Sequence, residues 1–169
     1  TGRAKYTDDI KFPFMLHAVP VYTDSVYAVI KNIDTSIAEK SEGVVKVLTW
    51  KDIKGALTFG QIIKDYQIFA KDKIYFNGDV VALVVADTRE NAIKASALVK
   101  VDVEELVPIL DVEVAMDPKT SFIHEEHGSN IINEHVVRRG NADEAFKDCD
   151  VILDETFQTQ FIEHSYMEP

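Results

Sequence analysis

The chain is poor in cysteine: of 169 residues only Cys149 carries a thiol. One thiol cannot close an internal disulfide or build a cysteine cluster, which excludes a disulfide-stapled scaffold and points to a reducing, cytoplasmic compartment. Positive charge is also scarce. Against 29 Asp and Glu stand 18 Lys and Arg, for a net charge of −11, so the basic surface that nucleic acid or an anionic membrane requires is lacking. No apolar run approaches the ~18 residues of a membrane span, and no stretch has the signal-peptide pattern. Seven glycines and five prolines are scattered singly, which leaves no low-complexity linker and no glycine-rich phosphate loop. Nor is there a nucleophile triad or a Cys/His array of metal-ligand spacing.

What the chain does have is a core. Hydrophobic residues make up 46% of it, enough for one domain and part of another. The organising stretch is residues 77–103, NGDVVALVVADTRENAIKASALVKVDV. Asn77-Gly78 signals a turn. The run 80–86, VVALVVA, is β-branched and apolar throughout, the pattern of a strand buried on both faces. Asp87 with Glu90 three residues later predicts a capped helix start. Ala92, Ala95, Ser96 and Val99 would share the inner helix face, and Glu90 and Lys94 an exposed ion pair. Residues 98–103 alternate as a half-exposed strand. Strand, helix and strand make a supersecondary unit, and with no phosphate-binding glycines it reads as scaffold.

The rest predicts a modest set of elements. Residues 1–13 are polar and extended. Residues 14–22 and 25–31 read as strands with a turn at Thr23-Asp24. Asp34 would cap a short helix through Lys40, ended by Gly43. Residues 44–49 form a strand, residues 50–53 a helical turn, and residues 55–73 a loop. Residues 104–108 turn, and Asp117-Pro118 breaks what precedes it. Asn141 caps a helix over 142–146. Residues 151–162 alternate as one long strand.

Several residues invite chemistry, and each has a plainer reading. Asp8-Asp9 falls short of the oxygen ligands a hard cation needs and reads as a solvated turn. His17 lies in an apolar strand and reads as packing. Trp50 reads as core or interface packing, Phe59-Gly60-Gln61 as loop, and Cys149, with no neighbouring base, as a small structural residue. His124-Glu125-Glu126-His127 is the most tempting metal cluster, with two His three apart, but Gly128-Ser129-Asn130 follows and we read it as an exposed acidic loop. Glu163-His164 could pair as acid and base, though spacing alone does not make a small hydrolase. From the residues themselves, the chain is a soluble α/β scaffold without a self-sufficient catalytic site. Its opening at Thr1, and its close at Met167-Glu168-Pro169 directly after a strand-like run, lead us to expect a piece of a longer polypeptide.

Several stretches in order resemble the molybdenum hydroxylases, the family of xanthine dehydrogenase and aldehyde oxidase. Thr1-Gly2-Arg3-Ala4-Lys5-Tyr6-Thr7-Asp8-Asp9 is similar to the motif TG-x-A-x-Y-x-DD that opens their molybdenum-binding part. Gly43-Val44-Val45-Lys46-Val47 with Asp52, residues 74–95, Gly140, Ala145-Phe146, Asp150-Val151-Ile152, and the Glu163-His164…Met167-Glu168-Pro169 motif fit the family in sequence order. Val103 stands where the family has Tyr, and residues 25–28, SVYA, lack the His often found before the Ala. The stretch Ile109-Leu110-Asp111-Val112-Glu113 leans toward the xanthine dehydrogenase branch.

The resemblance implies an α+β fold: an α/β-hammerhead domain over residues 1–135, with a mixed sheet and two main helices. Residues 136–169 would start the molybdopterin-binding domain, with a final strand leading toward the remainder. It implies a parent that hydroxylates a purine or aldehyde C–H with water-derived oxygen, using molybdopterin, 2Fe-2S clusters and FAD. The pterin contacts and catalytic glutamate would lie beyond Pro169. The resemblance therefore assigns no catalytic, cofactor-binding or metal residue to this chain, and none of those cofactors. Its partners would be the iron–sulfur and molybdopterin-binding parts of the parent, with self-association through the C-terminal strand, and no nucleic acid or membrane. The alternative is a free-standing protein-interaction module without catalysis.

Overall fold

Within the run 80–86, Ala82–Ala86 become the central strand of the first sheet, and the fold is arranged around it. A computed structural model describes residues 2–165. The first sheet comprises β1 (His17–Val21), β3 (Val44–Leu48) and β7 (Ala82–Ala86), in the order β1-β7-β3. The second comprises β2 (Ala28–Asp34), β6 (Lys73–Ile74) and β8 (Lys100–Glu105), in the order β6-β2-β8, and a short hairpin joins β4 (Thr58–Phe59) to β5 (Tyr66–Gln67). These pairings are antiparallel. Three helices complete the described residues: α1 (Arg89–Ser96), α2 (Val112–Met116) and α3 (Ala142–Lys147). The expected α+β fold with few helices is present, but in place of the mixed sheet expected the strands form three separate sheets joined by antiparallel ladders only.

In β7, Ala82, Val84 and Ala86 are fully buried, and Leu83 and Val85 are half-buried. Val84 pairs with Val19 on one side and Val47 on the other. The small side chains let α1 lie close on β1 and β7, with Ala92 and Ala95 fully buried beneath it. Ile30 and Ile33 of β2 and Val101 of β8 pack against the same core cluster, so the two sheets enclose one core. The exposed face of α1 carries the expected Glu90–Lys94 ion pair at 2.7 Å.

Several boundaries differ from the sequence reading, each for a physical reason. Helix α1 is capped by Thr88, whose hydroxyl accepts from the Asn91 N–H at 3.2 Å. Asp87 is held to the strand end, because its N–H donates to the Gly43 carbonyl at 2.9 Å. Strands β7 and β8 enter different sheets. Both edges of β7 are already occupied by β1 and β3, and β8 exposes Lys100, Asp102 and Glu104, a pattern suited to a sheet with one wet face. Strands β1 and β2 likewise form no hairpin with each other. Strand β1 starts only at His17, after a fully exposed Phe14 whose φ of 62° is incompatible with extended backbone. Asp34 stays in β2 and accepts from the Ser36 N–H at 2.9 Å. The helix expected after it shrinks to a 3-10 turn over Ala38–Lys40. Glu104 and Glu105 extend β8 rather than turn. Asn141 caps α3 as expected. The alternating residues 151–162, expected to form one long strand, join no ladder and are exposed throughout. Of the described residues, no helix is long and apolar enough to cross a membrane.

Gly43 has φ +73°, and a methyl group there would collide with the Asp87 carboxylate and the Asn91 amide, which hydrogen-bond to each other. Gly43→Ala is expected to destabilise the fold by about 1–2 kcal/mol, read from urea unfolding. An unchanged midpoint would contradict this account of the β3 start.

Candidate functional site

Polar chemistry gathers where the loop after α2 meets β6. The side chain of Asn130 ties that loop shut. Its Oδ1 accepts from the Ile123 N–H at 2.8 Å, and its Nδ2 donates to the Ala115 and Ser121 carbonyls, each at 3.1 Å. Within the loop, Glu125–His127 form one 3-10 turn, closed by Gly128 at φ +64°. His124 thereby stacks on Tyr75, just after β6, with ring centroids 4.3 Å apart and planes 16° apart. Lys73 of β6 reaches Glu125 at 3.3 Å.

Asp65, immediately before β5, comes in from a distant part of the sequence. Its Oδ2 lies 3.4 Å from His127 Nε2. His124 Nδ1 lies 3.3 Å from Glu126 Oε1, and the two imidazole centroids are 5.5 Å apart. Among the described residues, Asp65, His124 and His127 are the group whose donor atoms come close enough to share one ion, all within 4.8 Å of one another. They border a cavity of about 460 Å³ whose apolar side includes Ile63, Phe76, Ile123 and Ile131. Glu125, Glu126 and His127 are exposed, in keeping with the reading of residues 124–127 as an exposed acidic loop. His124 is half-buried against Tyr75, and Asp65, 59 positions earlier, adds a third donor that no local spacing could reveal.

Burial sets the titration of this corner. It raises the Tyr75 phenol above its ordinary value, and the Glu126 carboxylate adds to the rise. Glu126 itself is lowered, chiefly by a hydrogen bond to its own backbone and partly by His124. Burial opposes the charge on Lys73, yet Glu125 and the two nearby tyrosines leave it raised. Asp79 is buried, and that burial holds its carboxyl above the usual range, although it accepts from the Tyr75 N–H at 2.7 Å.

The other candidates lie apart. Asp8 and Asp9 sit in an exposed 3-10 turn over Thr7–Asp9. His17 starts β1 and is half-buried. Trp50 borders a polar groove of about 520 Å³ between β2 and β3, with the Lys51 and Lys71 ammonium groups 5.6 and 5.2 Å from its ring centroid. Phe59 packs on Tyr66 at 4.9 Å between centroids. Cys149 is exposed rather than structurally buried, and its thiol donates to the Ala145 carbonyl at 3.3 Å. Glu163 and His164 are exposed. Thr1 and residues 166–169, which carry the ends of the first and last family-like motifs, lie outside the described residues.

Residues 1–107 match the family model described as "Aldehyde oxidase and xanthine dehydrogenase, a/b hammerhead domain". The chain belongs to the aldehyde oxidase and xanthine dehydrogenase family. Residues 123–169 match a second model, the molybdopterin cofactor-binding domain. The chain is 34% identical over 168 residues to a probable xanthine dehydrogenase subunit of Bacillus subtilis, covering 99% of this chain and 22% of that protein. It is 37% identical over 172 residues to a xanthine dehydrogenase of Oryza sativa subsp. japonica, covering 100% of this chain and 12% of that one. In structure it is similar to the aldehyde oxidoreductase of Desulfovibrio gigas, with TM-score 0.66 and 35% identity over 71% of this chain and 15% of that chain. It thus spans well under half the length of these members of the family. The hammerhead expectation from the sequence motifs stands on these matches.

Because the folded value of Asp79 is raised, the stability it lends is complete below its unfolded value of 3.8 and is lost as pH rises through the folded value. Asp79→Asn keeps an oxygen acceptor for Tyr75 and removes the titration. Relative to wild type, the variant is expected to gain stability between pH 3 and pH 7 in urea unfolding, and a pH-independent difference would contradict the assignment.

Proposed function

We propose that this chain is the hammerhead scaffold of a xanthine dehydrogenase-like molybdenum hydroxylase. Residues 1–135 would form the scaffold, and residues 136–169 would open the molybdopterin-binding domain. The observation that carries the reading is the succession of two family models along one chain, hammerhead over 1–107 and cofactor-binding domain over 123–169. The parent enzyme is an oxidoreductase that hydroxylates a purine or aldehyde C–H with water-derived oxygen. Its cofactors are molybdopterin, 2Fe-2S clusters and FAD, its compartment is the cytoplasm, and its iron–sulfur and molybdopterin-binding parts are the partners of this chain.

Residues 123–169 match the cofactor-binding domain, and the described residues 131–165 are exposed without exception. In this reading no cofactor contact and no chemical step is assigned to this chain. Its work is mechanical: a core closed around β7 presents residues 151–162 as an extended segment to the domain that follows. That segment is strand-like in pattern and has no partner. Leu153, Phe157 and Phe161 are 82%, 89% and 105% exposed, an apolar strip of the kind that marks an interaction surface. Met167, expected in the same strip, lies outside the described residues.

Elemental analysis of the purified chain is expected to find no stoichiometric molybdenum, and assays no oxidation of hypoxanthine. One molybdenum per chain would overturn the scaffold reading. Light scattering is expected to show concentration-dependent association of the isolated chain, abolished by deleting residues 151–169. A strict monomer at high concentration would count against the role of the apolar strip.

A further inference from the structure

We propose that Asp65, His124 and His127 bind one divalent transition-metal ion of the zinc class. Two imidazoles and one carboxylate suit Zn²⁺, Co²⁺ or Ni²⁺, whereas Ca²⁺ and Mg²⁺ want sets of oxygen ligands. Zinc bonds of about 2.0–2.2 Å at tetrahedral angles place neighbouring ligand atoms about 3.4 Å apart. Asp65 Oδ2 and His127 Nε2 are separated by 3.4 Å, and all three donors fall within 4.8 Å of one another. A small side-chain rotation then closes the third ligand onto the same centre.

The surroundings are those of a prepared site. Glu126 stands 3.3 Å from His124 Nδ1, the carboxylate–histidine arrangement that fixes the tautomer and ring of a metal ligand. Tyr75 stacks on the same ring at 4.3 Å. The loop that carries both His is pinned without any metal, by the three hydrogen bonds of Asn130 and by the Lys73–Glu125 pair. Binding therefore orders little that is not ordered already, which favours affinity. Three protein ligands leave a fourth tetrahedral position, for water or for a donor atom from a neighbouring domain, and the three residues themselves line a cavity of about 460 Å³.

Tag-free 169-residue chain, stripped with chelator, is titrated with Co²⁺ while visible absorption is followed, and then with competing Zn²⁺. The expected result is one Co²⁺ per chain with the d–d bands of a low-coordinate site, displaced by one Zn²⁺. Glu126→Gln is expected to weaken binding by about 10–100-fold, and the nearly isosteric Asp65→Asn and the larger change His127→Ala by more. A variant with His17, His135 and His164 all replaced by Ala is expected to bind as wild type. Absence of saturable binding below about 1 mM Zn²⁺, or a folded Asp65→Asn protein with wild-type affinity, would overturn the proposal. Loss of binding in the triple His variant would overturn it as well. The metal readout does not involve molybdenum or hydroxylase activity, so its failure would leave the family reading untouched.

Discussion

The structure depends on one constraint: β7 is fully buried on one face, half-buried on the other, and paired on both edges. A strand so enclosed must be apolar along its whole length, and it leaves no edge for further strands. Ala82, Val84 and Ala86 face the core at zero exposure. Burying a valine side chain fully contributes about 1.5–3 kcal/mol, so Val84, in the middle of β7, and Val81, just before it, both at zero exposure, anchor the core. The consequences spread outward. Helix α1 needs alanines to approach the strand closely, β8 has to find its partner in the second sheet, and Gly43 must take a left-handed turn so that β3 can start beside the end of β7. The second sheet completes the core with Ile30, Ile33 and Val101 and keeps its charged face outward, where Lys31 pairs with Glu104.

Much of this is legible in the sequence because local pattern and tertiary role agree. The unbroken run 80–86 predicts a doubly buried strand, and the alternation after Leu98 predicts a half-exposed one. The spacing of Ala92 and Ala95 predicts the helix face. What pattern alone does not supply is pairing. Alternation in residues 151–162 is as regular as in β8, yet β8 pairs with β2 and residues 151–162 pair with no strand among the described residues. The helix cap moves by one residue for a similar reason. Asp87 is a good capping residue, but the ladder bond to Gly43 claims its backbone and passes the cap to Thr88. The short β4–β5 hairpin is invisible in the sequence, since two-residue strands leave no period to read.

The same limit governs the candidate site. The His124/His127 spacing is visible, but three apart in a loop is weak until a third donor is known. That donor, Asp65, arrives through the packing of the β4–β5 region against the loop after α2, a long-range contact. No local signal marks it, and the family resemblance, which fixes the fold, assigns no role to these residues. The family motifs do what composition cannot, and turn an anonymous α/β core into a hammerhead domain whose matched relatives are several times longer.

The proposal is a division of labour: a core around β7, and residues 151–162, patterned as a strand and exposed, which would pair with another part of a parent enzyme. Amide hydrogen exchange compared between the isolated chain and the full parent hydroxylase tests this most directly. The account predicts that the amides of Ala82–Ala86 are protected in both. It predicts that the amides of residues 151–162 exchange freely in the isolated chain and become protected in the parent. Protection of residues 151–162 in the isolated chain, or free exchange of them in the parent, would contradict it.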